Sequence, residues 1–195
     1  MMQEIFYRMK DLGLCIGAQW DRLAPSEGNA VEFAEKHINK EPRKFKEGSS
    51  SAYTDEYCLA HSGEVINERY RGNRPEDLDK QIAATLDGYR TDTNLVVYRG
   101  VCDYVYDLMK ENARDIEGAD LYEKGFMATS LVKGHEINGD KNLRIFIPAG
   151  SKCIFMGDVN NELKLYYEVT VQHGAALKIV SIDKKYINCL LIKTA

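Results

Sequence analysis

The chain has 195 residues, 44% of them hydrophobic and 29% charged, with a formal net charge of -4. That length suits one domain, or one domain with an extension, and the composition is that of an ordinary globular protein. The acidic balance argues against a nucleic-acid partner, which normally calls for a basic surface, though a dinucleotide needs only a local cluster of cations. Cysteines 15, 58, 102, 153 and 189 are odd in number, far apart and free of CxxC or His-rich spacing. Neither a disulfide framework nor a metal site is expected; reduced, mostly buried thiols are.

The chain opens with MMQEIFYRMKDLGLCIGAQWDRLAP. This stretch lacks the unbroken apolar region and small-residue cleavage site of a classical secretory signal. No run of about eighteen apolar residues occurs, so no membrane-spanning segment and no membrane partner are expected. Residues 1–50 are charged and helix-like and read as a helical N-terminal extension, closing in the loop-like string EPRKFKEGSSS. From Ala52 to about Asp87 the pattern is helical, with Tyr57, His61 and Val65, then Ile66 and Tyr70, recurring at spacings of three to four. The first helix should stop at Arg71-Gly72-Asn73, with Gly72 in the left-handed position. Pro75, Glu76 and Asp77 should open a second, whose apolar stripe would be Leu78, Ile82 and Leu86.

After Thr91 the texture changes. LVVYRGV, GFMATSL, LRIFIPAG, KCIFMGD, YYEVTVQ and ALKIVSI are short β-branched or aromatic runs bounded by turn residues, interrupted by one helix at about Asp103–Arg114. Strands outnumber helices without alternating with them. The pattern predicts an α+β fold with helices gathered at one end of antiparallel sheets.

The common phosphate cradles, the GxSxG elbow and the HExxH helix are all absent. Arg99 stands near the end of the apolar run LVVYRGV, either as an edge-strand residue facing solvent or as a rigidly mounted guanidinium that forks onto phosphate or ribose. Gly100 beside it would admit a flat ligand close to the backbone. Thr129 and Ser130 in GFMATSL offer small hydroxyls. Glu168 shares a strand face with Tyr166 and Thr170, while Tyr167, Val169 and Val171 share the other.

In that order, the segments INERYRG, LVVYRGV, GFMATSL, IPAGSKC and LYYEVTVQHGAALKIVSI, within residues 53 to 185, resemble the arginine–serine–glutamate class of mono-ADP-ribosyltransferases, which contains the C3-like and binary-toxin exoenzymes. The resemblance implies two packed, mainly antiparallel sheets forming an NAD cleft in a catalytic domain of residues 51–195, with NAD as substrate and no metal. It implies that Arg99 and Arg71 grip the pyrophosphate and adjacent ribose and that the Gly100 backbone meets the nicotinamide amide. Asn67, Tyr98 and Phe126 join them as NAD-binding residues. Glu168 would hold the ribose 2′-hydroxyl and stabilise the oxocarbenium-like sugar, aided by Thr129, Ser130 and Tyr166. A toxin or effector of this kind would be secreted or injected without a classical signal and would modify a target-cell protein in the cytosol.

The chain departs from the pattern at several points. Ala128 replaces the hydroxyl that steadies the glutamate, leaving Thr129, Ser130 or water to substitute. Tyr166 stands where arginine-modifying members carry a second glutamate, which points away from an arginine acceptor; Glu162 is the nearest acid in the same loop. Arg69 occupies a frequent tyrosine position. The loop LVKGHEINGDKN lacks the usual aromatic, a place that His135 or Phe126 would fill, and Lys133 and Lys141 are candidate phosphate contacts. Two other readings stay open: an NAD glycohydrolase on the same scaffold, and a catalytically degenerate binding scaffold.

Overall fold

The computed structural model describes residues 2–38, 54–159 and 165–195. The N-terminal stretch forms α1 (Met2–Leu14), α2 (Ile16–Trp20) and α3 (Ala30–His37), followed by α4 (Asp55–Arg71) and α5 (Asp77–Leu86). Thereafter come β1 (Leu95–Val101), α6 (Asp103–Asn112), β2 (Leu121–Glu123), β3 (Met127–Ser130), β4 (Lys141–Ile147), β5 (Cys153–Phe155), β6 (Glu168–Val171), β7 (Ala175–Ile182) and β8 (Ile187–Lys193). The α+β class is as expected. The string EPRKFKEGSSS lies outside the described residues.

The strands form one sheet in the order β2-β7-β8-β4-β1-β3-β6-β5. Its neighbours run antiparallel except β4 and β8. Where the sequence implied two sheets, the structure has two halves, hydrogen-bonded into one ladder by the single pair Tyr98–Ser130. So narrow a hinge lets the halves fold onto a shared core, in which Leu95, Val97 and Ile145 of one meet Phe155, Val169 and Val171 of the other. Tyr7 of α1, Ala34 of α3 and Met109 of α6 pack into the same core. Helices α4 and α5 cover the smaller half through a second cluster containing Leu59, Ile66, Ile82, Leu86 and Phe126.

Local chemistry explains the boundaries of these helices. The Thr54 hydroxyl caps α4 by accepting from the Tyr57 N–H at 3.1 Å, ahead of Asp55 and Glu56 in the first turn. The other end closes as predicted but by a different residue. Gly72 has φ -79, and Asn73 takes the left-handed conformation at φ 55. The Asn73 and Arg74 amides then donate to the Tyr70 and Arg69 carbonyls, which satisfies the helix end. In α5 the expected stripe is rotated, because Leu78 is exposed and Asp79 is buried in its stead. Asp79 accepts from the Glu76 N–H at 2.8 Å and from Arg69 at 2.6 and 2.5 Å, so the buried position is a cap and an ion pair. All five cysteines are free, but only Cys153 and Cys189 are buried; Cys15 and Cys102 are exposed.

Candidate active site

β1 lies between β4 and β3, so Arg99 is not an edge residue facing solvent. Alternation puts it on the side of Leu95, Val97 and Val101, which all enter the shared core. A guanidinium there requires a counter-ion, and Glu123 at the end of β2 supplies it. Glu123, 1% exposed, accepts from Arg71 Nε and Nη2 at 2.9 and 2.8 Å and from Arg99 Nη2 at 3.2 Å. The Gly125 N–H adds a further bond to Glu123 at 3.1 Å. Burial pushes the Glu123 carboxyl up, and the two guanidiniums more than offset this, holding it below its ordinary value. Arg99 also donates to the Ala128 carbonyl at 3.0 Å, while its buried Nε has no partner among the described residues.

Glu168 opens β6 beside this layer. A cleft of about 160 Å³ is lined by Arg99, Gly100, Ala128, Thr129, Ser130, His135, Tyr166 and Glu168. Its size suits the nicotinamide end of a dinucleotide rather than a whole drug-sized ligand. The Thr170 hydroxyl donates to Glu168 Oε1 at 2.9 Å, as the shared strand face requires. Burial raises the Glu168 carboxyl above its ordinary range, while Thr170 and the charge of Arg99 pull it back. Immediately before it, Tyr167 is held at φ 48, a conformation that bulky residues rarely adopt. Its ring packs on the core, and its carbonyl accepts from the Leu131 N–H at 2.9 Å.

The structure thus gathers Arg99, Gly100, Thr129, Ser130, Tyr166 and Glu168 around one cleft, with Arg71 joined to Arg99 through Glu123. Several contacts differ from expectation. The Thr129 hydroxyl donates to the Val169 carbonyl at 2.6 Å and that of Ser130 to the Val132 carbonyl at 2.9 Å, so neither holds Glu168. Thr170 does so, from the position directly opposite Ala128 in the β3–β6 pairing. The missing hydroxyl has in effect crossed to the neighbouring strand. Gly100 also has another reason to be glycine: a Cβ there would lie 1.9 Å from the Ile137 carbonyl oxygen, because the β3–β4 loop crosses over it.

Phe126 is fully buried in the α4–α5 cluster, edge-on to Tyr70, and does not reach the cleft. Asn67 brackets its backbone, accepting from the Phe126 N–H at 2.7 Å and donating to its carbonyl at 3.1 Å. Tyr98 backs the cleft with a fully buried ring whose hydroxyl donates to Asp21 at 2.8 Å. His135 is the aromatic of the β3–β4 loop that lines the cleft, 5.0 Å edge-on from the Tyr167 ring. Lys133 and Lys141 are paired with Asp21 and Asp103, at 2.5 and 3.3 Å. Glu162 lies outside the described residues. Sequence reasoning missed Glu123 and Glu136. Glu136 lines the cleft, but its oxygens are taken by the Tyr186 hydroxyl and the Gly134 N–H, at 2.7 and 2.6 Å.

A family model described as ADP-ribosyltransferase exoenzyme matches residues 32–193. The chain belongs to that family. It is an NAD-dependent ADP-ribosyltransferase. Among solved structures, this transferase is similar in fold to Plx2a, an ADP-ribosyltransferase toxin from Paenibacillus larvae, at 17% identity and a TM-score of 0.61, over 85% of this chain and 96% of that one. The Clostridium limosum C3 exoenzyme is similar at 19% identity and 0.59, over 85% and 94%. C3stau2 from S. aureus, solved with NAD, follows at 17% and 0.56, over 85% and 95%. No curated protein sequence matches the chain. Among the described residues of the transferase, no group of three or more His, Cys, Asp or Glu side chains is placed to hold a metal.

Proposed function

We propose that the cleft takes the nicotinamide riboside end of NAD against Glu168 and that ADP-ribose passes to a protein side chain other than arginine. The observation that carries this reading is a half-buried carboxylate, Glu168, facing a cleft beside the Arg99–Glu123–Arg71 layer. Arg99 brings an unpartnered buried Nε and a fixed guanidinium plane, the equipment that orients a phosphate or ribose oxygen. The bond from the ribose anomeric carbon to nicotinamide breaks, and nicotinamide departs with the electron pair. Glu168 accepts the ribose 2′-hydroxyl hydrogen bond and stabilises the cationic sugar, a charge that is largest in the transition state. The acceptor's nucleophile then forms the new bond to the anomeric carbon and gives up its proton.

The acceptor reading rests on what surrounds Glu168. An arginine acceptor needs a base close to its guanidinium. Tyr166, half-exposed at the cleft mouth, presents a phenol in place of a carboxylate. Glu136, the other acid lining the cleft, has both oxygens engaged. The biological role follows the solved toxins of this fold: a bacterial toxin or effector, secreted or injected, that modifies a protein in the target-cell cytosol.

Incubation with labelled NAD and a target-cell lysate tests this directly. Label should appear on protein with wild type, resist the conditions that release ADP-ribose from arginine, and be absent with Glu168→Gln. Nicotinamide release that ignores the lysate would favour the glycohydrolase instead.

A further inference from the structure

Helix α1 is mounted the opposite way round from an ordinary surface helix. Met2, Ile5, Phe6, Met9 and Leu12 are 87, 54, 63, 67 and 83% exposed. At 3.6 residues per turn they fall within one arc of about 120°. The opposite arc faces the protein through the buried residues Tyr7 and Asp11. There the Tyr7 hydroxyl donates to Asp120 at 3.3 Å, and buried Asp11 accepts from Ser181 at 2.7 Å and Asn188 at 3.3 Å. Rotating the helix to hide its apolar stripe would strand these buried polar groups, so the stripe is held outward.

We propose that this face of α1 lies on an anionic phospholipid bilayer. The stripe has a cation at each edge: Arg8 flanks the Leu12 side and Lys10 the Phe6 side, each about 40° beyond the last apolar residue. Both are exposed. Apolar side chains sunk to the acyl boundary with basic stems reaching back to phosphates are the arrangement of an interfacial helix. Thirteen residues are too few to span, and no described helix is long and apolar enough to cross a membrane. The absence of a spanning segment, read from the sequence as the absence of a membrane partner, therefore leaves the membrane surface available.

A second copy is a poorer occupant on two counts. Five side chains on one helix fall well short of the roughly 20–30 residues a side of a standard interface. A symmetric contact would also set Arg8 and Lys10 beside the same cations of the partner. With a whole-chain charge of -4, general attraction to an anionic surface is weak, so adsorption must run through the stripe.

The test is flotation of the full chain with vesicles of phosphatidylcholine, with and without phosphatidylserine, alongside analytical ultracentrifugation. Wild type should float with the serine-containing vesicles, and Phe6→Glu/Met9→Glu should bind at least about ten-fold more weakly. Arg8→Glu/Lys10→Glu should lose the preference for phosphatidylserine. Nicotinamide release without vesicles should be unchanged in both variants, which separates this proposal from the reading of the cleft. Failure of wild type to float, equal flotation of either variant, or a wild-type dimer abolished by Phe6→Glu/Met9→Glu would overturn it; the last would make a second copy the occupant.

Discussion

Two carboxylates lie near Arg99, and their surroundings differ in a way that suits them to opposite work under the proposed function. Glu123 is closed in: two arginines and a backbone N–H use its oxygens, and it is held below the ordinary carboxylate range. Glu168 faces the cleft, has one side-chain donor in Thr170, and is raised by burial. A carboxylate whose charge is already matched can contribute stability and geometry but offers no further interaction to a developing cation. One whose charge is under-compensated gains most when a cation forms beside it, which is the condition for transition-state stabilisation.

Glu123→Gln tests the closed side and should have the largest effect. It leaves two guanidiniums without a counter-ion in a buried layer and should cost about 3–5 kcal/mol of stability, read from urea unfolding. Unchanged stability would show that the layer does not stabilise the fold. On the open side, Glu168→Gln should lower nicotinamide release by about 10²–10³-fold while leaving neutral-pH stability equal or slightly higher. The pH dependences differ in sign. Stability from Glu123 is complete above the ordinary glutamate range and is lost as pH falls through its lowered value. Glu168 penalises the fold when ionised, and that penalty lifts as pH falls through its raised value.

Thr170→Ala sharpens the contrast by removing the only side-chain hydroxyl bonded to Glu168 among the described residues. We expect roughly ten-fold lower kcat/KM, the worth of one charge-assisted hydrogen bond. The acid limb of the pH–rate profile should move to higher pH, because an influence favouring the carboxylate is gone. Thr170→Ser should restore both. An acid limb that stays in place in Thr170→Ala would mean that the hydroxyl only packs. The smallest effect is expected from Ala128→Ser. In wild type it should change little, but combined with Thr170→Ala it should recover part of the loss, because positions 128 and 170 are cross-strand partners.

Much of this was legible in the sequence. LVVYRGV is apolar on both faces because β1 is central, and its boundaries match the strand. The period-two reading of YYEVTVQ put Glu168 and Thr170 on one face, and the structure joins them by a hydrogen bond. Glu123 was hidden because β2 has only three residues, too short to carry a period, and its partner Arg71 is 52 positions away. Strand β8 was missed behind the lysine pair at 184–185, since its role as the parallel neighbour of β4 is purely tertiary. Phe126 was a candidate for the missing loop aromatic, but Asn67 brackets its backbone and the ring enters the α4–α5 cluster. The sequence fell short at strands β2 and β8, whose places are set by their neighbours in the sheet, and in the direction of particular side chains.

Under the proposed function the under-compensated carboxylate performs the chemistry and the sealed one does not. Nicotinamide release from NAD by folded Glu168→Gln, measured beside wild type with and without lysate, tests it most directly. The expected result is a loss of about 10²–10³-fold in protein whose unfolding midpoint matches or exceeds that of wild type. Release at the wild-type rate from the folded variant would contradict it and place the catalytic charge elsewhere.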